Sequence, residues 1–334
     1  MAENRMKLEA LHALIVEILM AHKTGASQAE AVAKALVAAE ADGQKGHGAS
    51  RVPSYAGQSA SGKVDGFVDP DLHRLGPSAA LVDAKDGFAY PALAMAQGLL
   101  KEMLAETPVA AVSIRNSHHS GVVAHHVEPL ANAGFVAIAM GNTPQAMAPW
   151  GGTKGVFGTN PIGFAAPRDG HPPVVIDMSL SKVARGKINV AASAGTPIEE
   201  GWAFDAEGNP TTDAKAALAG TLAPMGDAKG AQLVLMVEIL AAALSASCFG
   251  YEASSFFAAE GPAPRVGALL IGIDPGPFSS DQFGPRLEAL IAEILAQPGT
   301  RIPGARRLAA REAAAKDGVV LPEALHAQLL EMRG

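Results

Sequence analysis

The period of the apolar positions changes along the chain. From residue 1 to about 42 they recur at helical spacing. The opening stretch MAENRMKLEALHALIVEILMAHK sets Glu3, Glu9 and Glu17 among them, which predicts an amphipathic helix rather than a signal peptide. A second helix is expected after Thr24, Gly25, Ala26 and Ser27, with Ser27 and Glu30 at the capping-box spacing. The following segment, ADGQKGHGASRVPSYAGQ, mixes glycine with His47, Arg51 and Tyr55, a composition that predicts a loop carrying polar chemistry.

From about residue 76 to 275 the pattern shortens. Runs rich in Val, Ile and Phe (VAAVSI, GFVAIAM, GFAAP, PVVIDMS, ALLIGIDP) alternate with the helical stretches PALAMAQGLLKEMLAE and AQLVLMVEILAAALSA, the signature of an α/β body. Residues 201–220, GWAFDAEGNPTTDAKAALAG, read as a turn-rich surface loop. From about residue 282, FGPRLEALIAEILAQPG and RIPGARRLAAREAAAKDG return to helix with a basic, proline-containing connector that can pack back on the N-terminal helices.

Composition narrows the functional classes. A chain of 334 residues with 49% apolar content buries a sizeable core in one large or two interleaved domains. A net charge of -7 and 5% aromatic residues argue against nucleic acid as a partner. The single Cys248 closes no internal disulfide, and its place at the end of LVLMVEILAAALSASC predicts a buried thiol. Glu238, glycines and prolines interrupt the most apolar segments, so no membrane span is expected and the cytoplasm is the default location.

The stretch RNSHHSGVVAHH holds four of the ten histidines. His118 and His125 are two helical turns apart, as are His119 and His126. That separation is roughly 10 Å of rise, whereas zinc needs each ligand nitrogen within about 2.1 Å, so no metal site is expected. The glycine-containing loop places His118 and His119 at a helix entry, where unpaired backbone N–H groups favour a carboxylate and an imidazole can give a proton to a developing alkoxide. His125 and His126 are expected as surface polar groups inside the helix.

The dinucleotide fingerprint G-x-G-x-x-G, the phosphate loop, the serine-hydrolase elbow and the H-E-x-x-H helix are all absent. What remains is a set of loops at the ends of apolar runs: GHGASR, NSHHSG, GNTPQAMAPWGG, FGTNP, DMSLSKVARGK, GDAKG and RIPGARR. They supply histidine, arginine, lysine and hydroxyls, with only Asp177 and Asp227 as carboxylates, a balance suited to an anionic small-molecule substrate held by arginine.

The motifs G-H-G-x-x-R, S-H-H-x-G, P-W-G-G, F-G-T-N-P, D-M-S, A-R-G-K, P-T-T-D and G-x-x-K-G occur in that order, and the chain resembles the malate/L-lactate dehydrogenase family of NAD(P)-dependent oxidoreductases over nearly its whole length. Within that family SLSKVARGK, MGDAKGA and FGYEASSFF are most similar to the sulfolactate dehydrogenase branch. The resemblance implies an α/β fold that is not of Rossmann type: a largely antiparallel seven-stranded sheet with flanking helices. It also implies a helical domain built from residues 1–75 with 282–334, an α/β nicotinamide-binding domain over 76–281, and a homodimer.

Carried over by motif, His47, His119 and Lys187 are implied as catalytic, and Arg51, Thr159, Arg185 and Gly186 as substrate-binding. His119, Ser120, Gly121, Thr143, Asp177, Met178, Ser179, Lys229, Arg301, Gly304, Arg306 and Arg307 are implied as contacts to NAD or NADP, and no metal is implied. The cyclic-imine reductases of the family carry a serine before the first histidine and an aspartate after A-x-G; here those positions are Gly46 and Lys187. The leading expectation is therefore hydride transfer between NAD(P)H and a 2-oxo acid with a second anionic group, sulfolactate or malate first. The alternative is reduction of Δ1-pyrroline- or Δ1-piperideine-2-carboxylate, and a third reading is a non-catalytic nucleotide-binding protein.

Overall fold

The computed structural model describes residues 4–333. Its opening helix, Leu8–Ala21, buries Leu11, Leu14, Ile15, Ile18 and Leu19, the i, i+3, i+4, i+7, i+8 stripe of an amphipathic helix. The second helix, Ala26–Ala41, is capped at Gly25 without a side-chain bond. The capping-box expectation is thus corrected: Ser27 Oγ donates to Gln28 Oε1, and Glu30 faces His12 across the helix pair at 3.2 Å.

The sheet has seven strands in the order Asp71–Gly76, Ala79–Asp83, Val109–Ser117, Val266–Ile273, Val136–Gly141, Ile162–Ala166, Val174–Met178. Every pairing is antiparallel except Ala79–Asp83 with Val109–Ser117. Five of these strands are the apolar runs the sequence marks, and in Val109–Ser117 the buried residues Ala110, Val112 and Ile114 alternate as the pleat requires. The chain's last sheet strand, Val266–Ile273, lies in the middle, between two strands laid down over a hundred residues earlier. At its start Gly267 comes so close to the helix behind it that a Cβ would stand 2.0 Å from the Ala241 carbonyl oxygen.

One buried cluster runs from the N-terminal helices into the sheet, joining Leu14, Ile18, Val32 and Leu36 to Val82, Ile114 and Leu270. Burial of each such side chain contributes about 1.5–3 kcal/mol. The strand Asp71–Gly76 pairs with Ala79–Asp83 and carries a register shift between Arg74 and Gly76, which leaves Leu75 out of the ladder.

Three local expectations are corrected. Residues expected as a loop form two short 3-10 turns, Lys45–His47 and Ala49–Arg51, and then the helix Val52–Ser61, which Pro53 starts because its fixed φ suits the first helical turn. Residues 201–220 are not loop alone: Ala203–Phe204, Pro210–Thr211 and Thr221–Leu222 form a small sheet, and the helix Ala214–Ala219 is capped by Asp213. Cys248 is half-buried rather than in the core.

The C-terminal segment packs back as expected. Arg5–Met6 pairs with Val319–Val320, and ion pairs fasten the helix Ala305–Asp317 to the end of Ala26–Ala41 and to the helix Ala124–Ala131. Arg307 Nη1 donates to Asp42 at 3.1 Å and to Glu128 at 2.7 Å, and Arg311 reaches both carboxylates. His125 Nε2 lies 2.8 Å from Asp42 Oδ2. The Asp42 side chain has no exposed surface. Burial alone would raise its pKa, but hydrogen bonds from His125 and Arg311 outweigh that and hold it well below the ordinary carboxylate range. His125 and His126 are therefore not surface groups: His125 belongs to this cluster, and His126 is 5% exposed with Nε2 bonded to the Ser120 carbonyl at 2.7 Å.

No described helix is long and apolar enough to cross a membrane. Arg307→Ala is expected to cost about 2–3 kcal/mol, because it removes charge-assisted hydrogen bonds from a buried set and leaves Asp42 and Glu128 to share Arg311. Arg306→Ala, at an exposed neighbour, should stay within about 0.5 kcal/mol. Urea unfolding of the two variants checks this, and equal costs would refute the role given to the cluster.

Candidate active site

The C-terminal end of the interior strand Val109–Ser117 delivers His118 and His119 into a pocket of aromatic rings, with four residues between His119 and the helix Ala124–Ala131. The two histidines are thus not at a helix entry; they are buried, at 2% and 6% exposure. The helix Val52–Ser61 closes over them. Arg51 caps it, and Tyr55 and Gln58 follow at i+4 and i+7, so one face presents guanidinium, phenol and amide to the two imidazoles.

Gln58 Nε2 donates to the carbonyls of Phe256 and Ala258, which fixes its Oε1 as the acceptor facing His118 Nε2 at 2.6 Å. His118 Nδ1 is buried with no partner. Tyr55 Oη lies 2.6 Å from His119 Nδ1 and 3.2 Å from Tyr90 Oη. The Phe256 ring packs 5.0 Å from that of His119.

His47, on the 3-10 turn, stacks on His119 with centroids 5.2 Å apart and rings 19° from parallel. Arg51 Nε donates to the Gly46 carbonyl at 2.6 Å, and its guanidinium carbon lies 4.6 Å from the centroid of the Phe257 ring. His47 Nδ1 and Arg51 Nη1 are buried without partners. Burial first, then the Arg51 charge, lowers the pKa of His47 to about 4. Burial first, then Lys63 and Arg51, lowers that of His118 to about 3, and the same causes of burial and the Arg51 charge hold His119 well below its ordinary value. The pocket is a cation surrounded by neutral imidazoles.

Gly121 continues the loop at φ +69°, and a Cβ there would stand 2.7 Å from Tyr90 Oη. Thr143 and Thr159 meet where Thr159 N donates to Thr143 Oγ1 at 2.9 Å. Asp177 Oδ2 accepts from Ala124 N at 3.3 Å, Met178 is 37% exposed, and the Ser179 and Ser181 hydroxyls bond at 2.7 Å. Lys229 is exposed in the first turn of Asp227–Glu238, Arg301 and Arg306 are exposed, and Gly304 caps Ala305–Asp317 at φ +91°.

The structure thus brings His47, Arg51 and His119 into one group with Ser120 and Gly121 alongside. It does not bring Lys187 or Arg185 into contact with them. Lys187 is exposed, its ammonium 5.7 Å from the centroid of the Trp202 ring, and Gly186 is exposed beside it. Arg185 donates to the Leu218 carbonyl at 2.9 Å and, with Lys154, lines an open cavity of about 400 Å³. Arg307, expected on the cofactor, is instead held in the buried ion cluster, where its fork matches two carboxylates. Sequence reading placed Tyr55 in a polar loop without a site role and passed over Gln58, Tyr90 and Phe256; the i, i+4, i+7 spacing of Arg51, Tyr55 and Gln58 is the signal that recognising the helix would have exposed. Among the described residues no cluster of His, Cys, Asp or Glu is arranged to hold a metal ion.

The neutral histidines make the fold acid-sensitive. Folded-state pKa values of about 4 for His47 and His126 and about 3 for His118 are below the unfolded value, and burial is the main cause in each. The unfolded chain therefore binds more protons below about pH 6.5. Stability is expected to fall as pH drops from about 6.5 to about 4, by about 1.4 kcal/mol per pH unit for each such histidine. Denaturant midpoints measured across that range check it, and a flat profile would disprove it.

Residues 6–330 match the malate/L-lactate dehydrogenase family. Over 298 residues, 89% of each chain, the protein is 51% identical to a (2R)-3-sulfolactate dehydrogenase (NADP(+)) of Chromohalobacter salexigens. It is 39% identical over 331 residues, 99% of this chain and 97% of the relative, to a Δ1-pyrroline-2-carboxylate/Δ1-piperideine-2-carboxylate reductase of Pseudomonas putida. The solved structure of Δ1-piperideine-2-carboxylate reductase from Pseudomonas syringae pvar. tomato superposes with a TM-score of 0.93 at 37% identity, covering 98% of this chain and 99% of that one. Match and geometry agree that the chain belongs to the malate/L-lactate dehydrogenase family.

Proposed function

We propose that the protein is an NAD(P)-dependent oxidoreductase that interconverts a small anionic 2-oxo acid and its 2-hydroxy acid, with sulfolactate as first candidate and malate as second. The observation that carries this is the convergence of His47, Arg51 and His119, with His47 Nδ1 and Arg51 Nη1 buried and unpartnered. Unsatisfied buried donors and acceptors are costly, and a bound carboxylate and oxo group satisfy them: guanidinium on carboxylate, imidazole on oxygen. The 51% identity to an NADP(+)-dependent sulfolactate dehydrogenase supports both substrate and cofactor.

The cofactor's residues fit a polyanionic dinucleotide. Lys229, Arg301 and Arg306 are exposed cations with no ion pair among the described residues, and Thr143, Thr159, Ser179 and Asp177 offer hydroxyls and a carboxylate for ribose and amide groups. When bound, the nicotinamide supplies or accepts the hydride. Arg51 then fixes the acid, and the aromatic wall of Tyr55, Phe88 and Phe256 keeps water from the imidazoles. Imine reduction is the second reading, favoured by the 39% identity to a cyclic-imine reductase. Against it, the Arg51 charge already opposes protonation of His47, His118 and His119, and a protonated imine meets the same repulsion.

We also propose a homodimer in solution. Leu235, Met236, Ile239 and Leu244 expose 43–61% of their surface along one helical segment, an apolar stripe that a second copy would cover. Sedimentation equilibrium is expected to give twice the chain mass, and Ile239→Glu should shift it to monomer; a monomeric wild type excludes the dimer.

Steady-state assays with NADPH and NADH on sulfopyruvate, oxaloacetate, pyruvate and Δ1-piperideine-2-carboxylate test the reaction. The expected order puts sulfopyruvate first, with NADPH preferred by at least about tenfold in kcat/KM, about 1.4 kcal/mol. Imine reduction faster than every oxo acid would reverse the assignment, and cofactor binding without turnover of any of them would leave a nucleotide-binding protein.

A further inference from the structure

Two imidazoles face the pocket, and the structure distinguishes their standing. His47 is held by stacking alone: its Nδ1 has no partner, and a side chain added at Gly46 would enter open space, so nothing there orients the ring by hydrogen bonding. His119 is held by a 2.6 Å bond from its Nδ1 to Tyr55 Oη, backed by Tyr90 Oη at 3.2 Å.

The hydrogens along this chain can be counted. Tyr55 is fully buried and Tyr90 is 7% exposed, and Tyr55 is the one hydrogen-bond partner of Tyr90 Oη among the described residues. If Nδ1 carried the proton, it would donate to Tyr55, and Tyr55 would then have to donate either to Tyr90, leaving the Tyr90 hydrogen buried without an acceptor at about 1–3 kcal/mol, or to the His119 carbonyl at 3.5 Å, the outer limit of a hydrogen bond. If Tyr90 donates to Tyr55 and Tyr55 donates to Nδ1, both hydroxyl hydrogens are used. The His119 carbonyl is a weak rival for the Tyr55 hydrogen at 3.5 Å.

We propose that Tyr55, backed by Tyr90, is a positioning residue that fixes His119 as the tautomer protonated on Nε2, so that its free nitrogen meets the substrate as a hydrogen-bond donor. No protein group among the described residues bonds Nε2, which leaves that N–H available to the pocket. Burial and the Arg51 charge keep the ring neutral, so the donor is an imidazole rather than an imidazolium. The inference rests on the oxidoreductase reading and adds a direction to it. A donor at Nε2 polarises a carbonyl and stabilises negative charge growing on its oxygen, whereas abstraction of a hydroxyl proton needs a lone pair there. The free enzyme is therefore arranged to receive an oxo acid.

The test has two independent readouts. Nitrogen-15 spectra of the full-length wild-type protein labelled at histidine, with His119 assigned through His119→Gln, are expected to show a protonated Nε2 and an unprotonated Nδ1 at about pH 7.5. The opposite pattern would overturn the proposal whether or not the enzyme turns over any acid. Tyr55→Phe keeps the ring and removes only the donor; kcat for oxo-acid reduction should fall about tenfold to a hundredfold while KM stays within about twofold. An unchanged kcat in a folded Tyr55→Phe protein would also overturn it. Absence of turnover in the wild type with every oxo acid would defeat the functional reading and leave the spectral test standing.

Discussion

A polar group taken out of water needs a partner, and in this protein most of the pocket's partners come from distant stretches of chain, while His47 Nδ1, Arg51 Nη1 and His118 Nδ1 stay without one. Tyr55 and His119 are 64 positions apart, yet each supplies what the other lacks, and the bond between them joins the N-terminal helices to the end of a sheet strand. The same helix face extends the logic. Gln58 serves His118 on one side and two carbonyls of the 256–258 loop on the other, and Lys63 ties that loop further through Ser255, Ala258 and Glu260. The loop in turn carries Phe256 onto His119 and Phe257 onto Arg51. The pocket wall, His118 and His119 are thus set by one connected group of hydrogen bonds.

Charge is handled by separating two kinds of arginine. Arg51 keeps one nitrogen buried and unpaired at the pocket. Arg307 and Arg311 are matched by Asp42 and Glu128, a buried set that holds the C-terminal helix in place and brings no free charge to a ligand. An acidic protein of net charge -7 thereby keeps a local cation among neutral histidines. Charge on the whole surface says little about charge at the site.

Several elements were legible in advance because they depend on neighbours along the chain. The stripe Leu11, Leu14, Ile15, Ile18, Leu19 and the alternation Ala110, Val112, Ile114 follow from local period. The helix Val52–Ser61 was hidden by its glycine and serine content, although Pro53 at its first turn was a start signal. The ends of helices were less readable: Ser27 and Glu30 have capping spacing, yet Gly25 starts the helix.

The sequence by itself determined the apolar periods, the loops that carry histidine, arginine and hydroxyls, and the order of motifs that places the chain in its family. Only the tertiary structure decided which of those loops meet. It put Val266–Ile273 in the centre of the sheet, drew His47, Arg51 and His119 together, and placed Lys187 on Trp202 and Arg307 on two carboxylates. The physical reason is that residue type fixes what a side chain can donate, accept or bury, while the partner that satisfies it comes from wherever packing brings the chain back, and no local pattern encodes that return.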